Sequence, residues 1–277
     1  MKQRIASIAF GLWIAMGCTL VLGQQTESQK SRQQEAEQIL RELGIADAIA
    51  QLDQVIAQSA LAIQPYIDQS SLQSKAGSGS APLTDLLLRS SGTEAIAAAT
   101  TAYMAQYLPP DTDEAREILD SELVKRVRNF DISLEMDGAL DKFVAFQQKL
   151  KEQPVSEARA SLIRRLDIAL SGSAVAAMLQ TEIEISVEAL AARVMDAPLS
   201  IPHIPGKQDQ RQNHMAGIAA NLHLFSYRYM QDRELQRYVE LMEQDRIQQL
   251  LGVSMKGMQQ ALQAGRAVAL QQLPGSR

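Results

Sequence analysis

"DRELQRYVEL", residues 232–241, sets Leu235, Tyr238 and Val239 three and four positions apart. That spacing puts their side chains on one face of an α-helix. Asp232 stands where a carboxylate accepts the free N–H groups of a first helical turn and opposes the helix dipole. The stretch reads as a helix cap followed by a core stripe. A second version lies 95 positions earlier, in "DGALDKFVAF", residues 137–146. There Asp137 matches Asp232, Leu140 matches Leu235, Phe143 matches Tyr238 and Val144 matches Val239, while Phe130 falls on Phe225.

An independent alignment, offset by 127, lays "ILRELGIADAIAQLDQVI" from residue 39 over "LDIALSGSAVAAMLQTEI" from residue 166. Ile39 falls on Leu166, Leu43 on Leu170, Ala50 on Ala177, Leu52 on Leu179 and Ile56 on Ile183. Each copy carries a small-residue break between two helices. Helical period alone supplies part of such a match, and two copies do not make a solenoid. The expectation is an all-α fold of two related antiparallel helical units, a duplicated hairpin array. The first spans residues 24–154 with an insertion near 70–110, and the second spans 155–277.

Composition agrees with helices. Hydrophobic residues make up 46% of the 277 but aromatics only 4%. The apolar content is mostly Ala, Leu, Ile, Val and Met; Ala, Leu and Met have high helix propensity, shared by the abundant Gln, Glu, Arg and Lys. No stretch alternates apolar and polar residues for long, so no sheet is expected. The apolar spacing predicts helices over 28–43, from Asp47 to about Pro65, over 93–107 up to Pro109, over 112–136, over 137–151, and from a Ser156 cap to the "SGS" break at 171–173. Another should reach about Met195, followed by helices over 208–230, 232–251 and 253–272. "SKAGSGSAP", residues 74–82, reads as a flexible connection, and the three prolines of "APLSIPHIPGK", residues 197–207, as a true interruption.

The N-terminus fixes the expected compartment. Lys2 and Arg4 precede an apolar run from Ile5 to Leu22, and a polar stretch follows from Gly23. A basic start, an apolar middle and a polar exit form a secretory signal peptide. Val21 and Gly23 are small enough to direct cleavage before Gln24. The rivals are a lipoprotein, cut before Cys18, and a retained anchor, since the run is near the lower limit of the roughly 17–25 residues that span a bilayer. Against lipidation, Ala15 stands where a larger aliphatic residue is usual, and "TLVLG" after Cys18 is still apolar. Cleavage after Gly23 removes Trp13 and the lone Cys18, moves the formal charge from −5 to −7, and leaves a chain that cannot form a disulfide. An acidic chain without a basic block is a poor polyanion binder, so nucleic acid is not an expected partner. No integral span is expected in the mature form.

The run "MQDRELQRYVELMEQ", preceded by "LFSYRY" and by the earlier "LSGSAVAAMLQ", resembles a family of exported, all-helical bacterial proteins defined only as a domain of unknown function (DUF2059-like). The likeness covers residues 160–255 best and, through the internal match, residues 36–150 more loosely. Members carry a Thr-x-x-Glu-Leu helix and often a following Ser-Pro-x-Gly. Here Gln231 takes the Thr position ahead of Glu234 and Leu235, and "EQDRI" replaces the second motif. The resemblance implies export and a helical fold, and brings no catalytic residues.

Motifs for chemistry are sparse. His203, His214 and His223 are the only histidines, and the last two lie half a turn out of phase on a helix. A metal site from His203, Asp209 and His214 would need convergence without the usual ligand spacing, so solvated or capping roles are expected instead. "NFDISLEMDG", residues 129–138, imitates a calcium loop, but Met136 replaces the required Gly and Lys142 the final Glu. "AGSGSAP" has the wrong spacing for a nucleophile elbow. No cofactor is implied. Phe225, Tyr229, Met230 and Tyr238, with Tyr227, form the densest aromatic region. Steps such as Phe225 to Tyr229 suit a core face; exposed, they would make a partner surface.

The sequence therefore predicts an exported, periplasmic or secreted helical protein acting as a non-enzymatic binding or envelope-maintenance factor. Its expected surface is an apolar groove between the helical units, for an envelope protein or a lipid-like ligand. A carboxylate-based envelope hydrolase and a Cys18-lipidated scaffold are the alternatives.

Overall fold

The computed structural model describes residues 27–71, 81–132, 138–195 and 207–273. Among these the fold is all-α, with thirteen helices and no strand. The signal peptide expected over residues 1–23, with Cys18, and also Asp137 and His203, lie outside the described residues.

The first helices are α1 (Glu27–Glu42), α2 (Ile45–Ala50) and α3 (Leu52–Ser71). Ala36, Ile39 and Leu40 bury the predicted stripe of α1. Gly44 then turns the chain with a φ of 73°, a left-handed geometry that glycine adopts without strain. The second predicted helix is thus two, broken at Gln51. α3 also runs on past Pro65 to Ser71.

The next helix is α4 (Ala81–Ser91), which the reading of 74–82 as a linker had left out. It buries Leu83, Leu86 and Leu87 on one face. α5 (Thr93–Tyr107) has the predicted bounds. Asp53 of α3 caps it, accepting the Thr93 N–H at 2.7 Å.

Residues 112–136, expected as one helix, contain α6 (Asp113–Leu119) and α7 (Glu122–Ile132). Arg128 Nη2 donates to the Leu119 carbonyl at 2.6 Å, satisfying the end of α6 at the break. α8 (Ala139–Glu152) follows Gly138, whose φ is 76°. α9 (Glu157–Leu170) has the predicted cap: the Ser156 hydroxyl accepts the Arg159 N–H at 3.2 Å.

α10 (Gly172–Met195) and α11 (Lys207–Ser226) precede α12 (Asp232–Met242) and α13 (Asp245–Gln272). The last break therefore falls at Glu243–Gln244, not at Gly252 as expected. Gln248 Nε2 donates to the Met242 carbonyl at 2.6 Å and the Ala169 carbonyl at 2.7 Å, which fixes the corner. Gly252 sits on the exposed side of α13, where helix continues without conflict.

Helix α13 packs along α4, α5 and α10; α10 packs on α3 and α11; α9 lies on α11 and α12. Segments 24–154 and 155–277 consequently share one continuous apolar core, from Ala36 to Ala269. The 127-residue match extends to the backbone at one point. Gly44 and Ser171, aligned with each other, are both left-handed, with φ of 73° and 54°. The aligned pairs Ile39/Leu166, Leu52/Leu179 and Ile56/Ile183 are all buried. The 95-residue match is uneven: Val239 is buried, while its counterpart Val144 is half exposed.

Candidate functional site

The aromatic cluster of the α11–α12 corner does not form the surface considered for it. Phe225, Met230 and Tyr238 are buried, and only Tyr229 is open, at 80% exposure. Phe143 and Phe146 of α8 meet Phe225 edge-on, each with centroids 5.4 Å apart. The Arg228 guanidinium lies 4.0 Å from the Phe225 ring centre and 4.6 Å from that of Tyr229. Apolar burial won here because the neighbouring helices arrive on the same side as the stripe.

Asp232 is likewise not the cap itself. Gln231 occupies that position without a side-chain bond, and Asp232 is the first helical residue, favourably placed against the dipole. Its carboxylate accepts from Arg159 Nη1. The same guanidinium donates to the Tyr227 carbonyl at 2.5 Å and the Met230 carbonyl at 3.1 Å, pinning the turn between α11 and α12 to α9.

The site lies where the two aligned hairpins face each other. A cavity of about 1170 Å³ opens between α2–α3 and α10, with further lining from α7, α11 and α12. Its size is just above the ~300–1,000 Å³ usual for small-molecule sites. Ile45, Val55, Ile63, Val175, Leu179 and Val187 supply aliphatic walls. Small residues on the facing helices, Gly44, Ala48, Ala62, Gly172 and Ala176, leave the space unfilled.

Two carboxylates at the cavity are held by arginines. Arg128 Nη1 is 3.9 Å from Glu42 Oε1, and Glu184 is bridged to Arg211. Arg211 Nη1 also donates to Thr181 Oγ1 at 3.1 Å, and Gln180 Nε2 donates to Glu184 Oε1 at 3.1 Å. Carboxylates held by arginines in this way are built as ion pairs.

His223 and His214 do point to opposite sides, as their spacing requires: His214 is exposed, whereas the ring of His223 lines the cavity. Its ring stacks on Tyr227 at 5.7 Å with planes 10° apart. Burial pushes its pKa below the ordinary 6.5, partly opposed by the nearby Asp167 carboxylate. Asp167 is itself buried and accepts from Ser173 N at 2.9 Å and Ser173 Oγ at 2.6 Å, holding the start of α10. Among the described residues, no group of three His, Cys, Asp or Glu is placed to hold a metal.

The His223 shift has a definite sign. The unfolded chain takes up a proton near pH 6.5, while the folded ring resists it until lower pH. This contribution to stability is complete above that pH and is lost as pH falls below it. The melting temperature should therefore fall between about pH 7 and 5.5. His223→Phe, which keeps the stacking on Tyr227, should flatten that part of the profile. Thermal unfolding followed by circular dichroism across the range checks both.

The class these features define is a helical array with a large, mainly apolar cavity between its helices. No family model, curated protein or solved structure matches the chain. No helix among the described residues is long and apolar enough to cross a membrane.

Which residues line the cavity was not legible in the sequence. Its lining is read only after α3 and α10 are known to face each other. Glycine and alanine at the break and on α10 were signals, but equally signals of helix propensity.

Proposed function

We propose that this chain is an exported binding protein without catalytic activity, and that it holds a lipid-like ligand in the cavity between α3 and α10. The observation that carries the reading is the cavity itself: a large space walled by aliphatic side chains, with Glu42 and Glu184 of its lining held by arginines. Such a site offers apolar burial to a ligand. Export rests on the basic, apolar and polar sequence of residues 1–26 and on the resemblance of residues 160–255 to an exported helical family. Periplasmic release after Gly23 follows from the same stretch. The duplication supplies an origin for the site, since each hairpin contributes one wall.

The test is a binding titration with N-phenyl-1-naphthylamine, whose fluorescence rises on leaving water. The protein should bind it, and Ala176→Phe, which fills the cavity from α10, should weaken binding by about tenfold, the loss of roughly 1.4 kcal/mol. The variant should keep the parent's far-ultraviolet circular dichroism. Absence of binding to the parent protein overturns the proposal. Mass spectrometry of protein recovered from the producing cells tests export separately: an N-terminus at Gln24 supports it, and an acylated Cys18 replaces release with anchoring.

A further inference from the structure

Five buried side-chain polar atoms among the described residues have no hydrogen-bond partner: Ser91 Oγ, Thr100 Oγ1, Arg128 Nε, Gln180 Oε1 and His223 Nε2. Three of the five, those of Arg128, Gln180 and His223, belong to residues lining the one cavity just described. Buried polar atoms are ordinarily satisfied, so their concentration around an apolar space marks positions that a bound molecule can complete.

The orientation of Gln180 decides what kind of molecule. Its Nε2 donates to Glu184 Oε1 at 3.1 Å, and Glu184 is held in turn by Arg211. Reversing the amide would set oxygen against carboxylate, so the neighbours fix Oε1 as the atom left over. Gln180 thus presents an acceptor without a donor, beside a carboxylate. A ligand carboxylate or phosphate placed there would meet acceptor with acceptor. The Arg128 guanidinium does not reverse this, because Nη1 faces Glu42 and Nη2 serves the Leu119 carbonyl at 2.6 Å.

We infer that the cavity takes an amphiphile with a hydroxyl-bearing head, whose O–H donates to Gln180 Oε1 while its aliphatic chain lies along the walls from α3 and α10. A hydroxyl group both donates and accepts, so a second one can complete His223 Nε2 in either tautomer of that ring. Arg128 Nε offers a donor to an ester or hydroxyl oxygen of the same head. The inference rests on the cavity being the ligand site, as proposed above, and adds the chemistry of the head group.

The experiment compares three twelve-carbon ligands below their aggregation thresholds on the mature full-length chain. They are 1-monolaurin, laurate at pH 8 and dodecyltrimethylammonium, each displacing N-phenyl-1-naphthylamine. 1-Monolaurin should bind about tenfold tighter than either ion, the discrimination carried by roughly one buried hydrogen bond. Gln180→Met should remove that advantage, read as the ratio of the three affinities on the same variant, and Gln180→Glu should turn the preference toward the cation. Laurate binding as tightly as 1-monolaurin overturns the head-group inference and leaves the cavity as a lipid site. A folded Gln180→Met protein with undiminished 1-monolaurin affinity overturns it as well. Failure of the parent chain to bind the naphthylamine removes the cavity reading itself. If Gln180→Met does not fold, the His223→Phe protein decides in its place, by the same loss of 1-monolaurin preference.

Discussion

Gly265→Ala is expected to destabilise the protein by roughly 2–3 kcal/mol, whereas Gly252→Ala in the same helix is expected to stabilise it by up to about 1 kcal/mol. Both glycines lie inside α13, and on an isolated helix both changes would help, because alanine loses less backbone freedom. The surroundings reverse the sign at one of them. A Cβ on Gly252 meets nothing within 4 Å. A Cβ on Gly265 falls inside contact distance of the Ser90 carbonyl oxygen and the Ser91 hydroxyl, at the end of α4. The carbonyl is backbone and cannot rotate away, so α13 has to move off α4. That movement disturbs Leu262 and Ala269 beside it, both fully buried. Gly265→Val should be worse than Gly265→Ala for the same reason. Urea unfolding, compared at unchanged slope, measures each value. Equal effects at 252 and 265 would mean that α13 does not approach α4 this closely.

That contrast shows where the sequence is a sufficient guide. Within a helix, local chemistry was enough: Leu235, Tyr238 and Val239 are all buried, as the three-and-four spacing requires, and Ser156 caps α9 through its hydroxyl. The bounds of α5 follow from Gly92 before it and Pro109 after it. Breaks made by tertiary contacts were not legible. Arg128 takes up the Leu119 carbonyl between α6 and α7, and Gln248 reaches back to Met242 and across to Ala169 at the α12–α13 corner. Neither interaction has a local signature, so Gly252 looked like the stronger breaker. α4 was hidden by the Gly/Ser-rich run just before it, although Leu83, Leu86 and Leu87 have helical spacing. The aromatic cluster failed as a surface for a related reason. Periodicity says which residues share a face, but not whether another helix covers it. The cavity is the same problem inverted, since small residues that favour helix in isolation become empty space only where two such faces meet.

Glu182→Ala should cost about 3 kcal/mol, near the lower end of the ~3–5 kcal/mol for breaking a buried ion pair, because Arg266 keeps part of its surface in water. Glu182 is buried on α10, and its carboxylate gathers three donors from α13. Gln259 Nε2 and Gln263 Nε2 donate to Oε1 at 3.3 and 3.1 Å, and Arg266 Nη1 donates to Oε2 at 2.9 Å. Removing the carboxylate strands the arginine at a helix–helix contact, while the exposed Gln259 and Gln263 can turn their amides to water. Removing both charges does not, so Glu182→Leu combined with Arg266→Met should recover most of the loss. The position also matters for the cavity. Two residues apart on a helix point about 200° apart, so Gln180 and Glu182 face nearly opposite ways. One side of α10 forms the ligand wall while the other is clamped to α13, which in turn rests on α4 and α5. Through this clamp the wall built by α10 is held against the wall built by α3. Glu182→Ala should therefore weaken naphthylamine binding at temperatures well below its own unfolding, and the double variant should restore it. Recovery of stability without recovery of binding would show that the carboxylate positions the wall by its charge and not by the packing of α10 against α13.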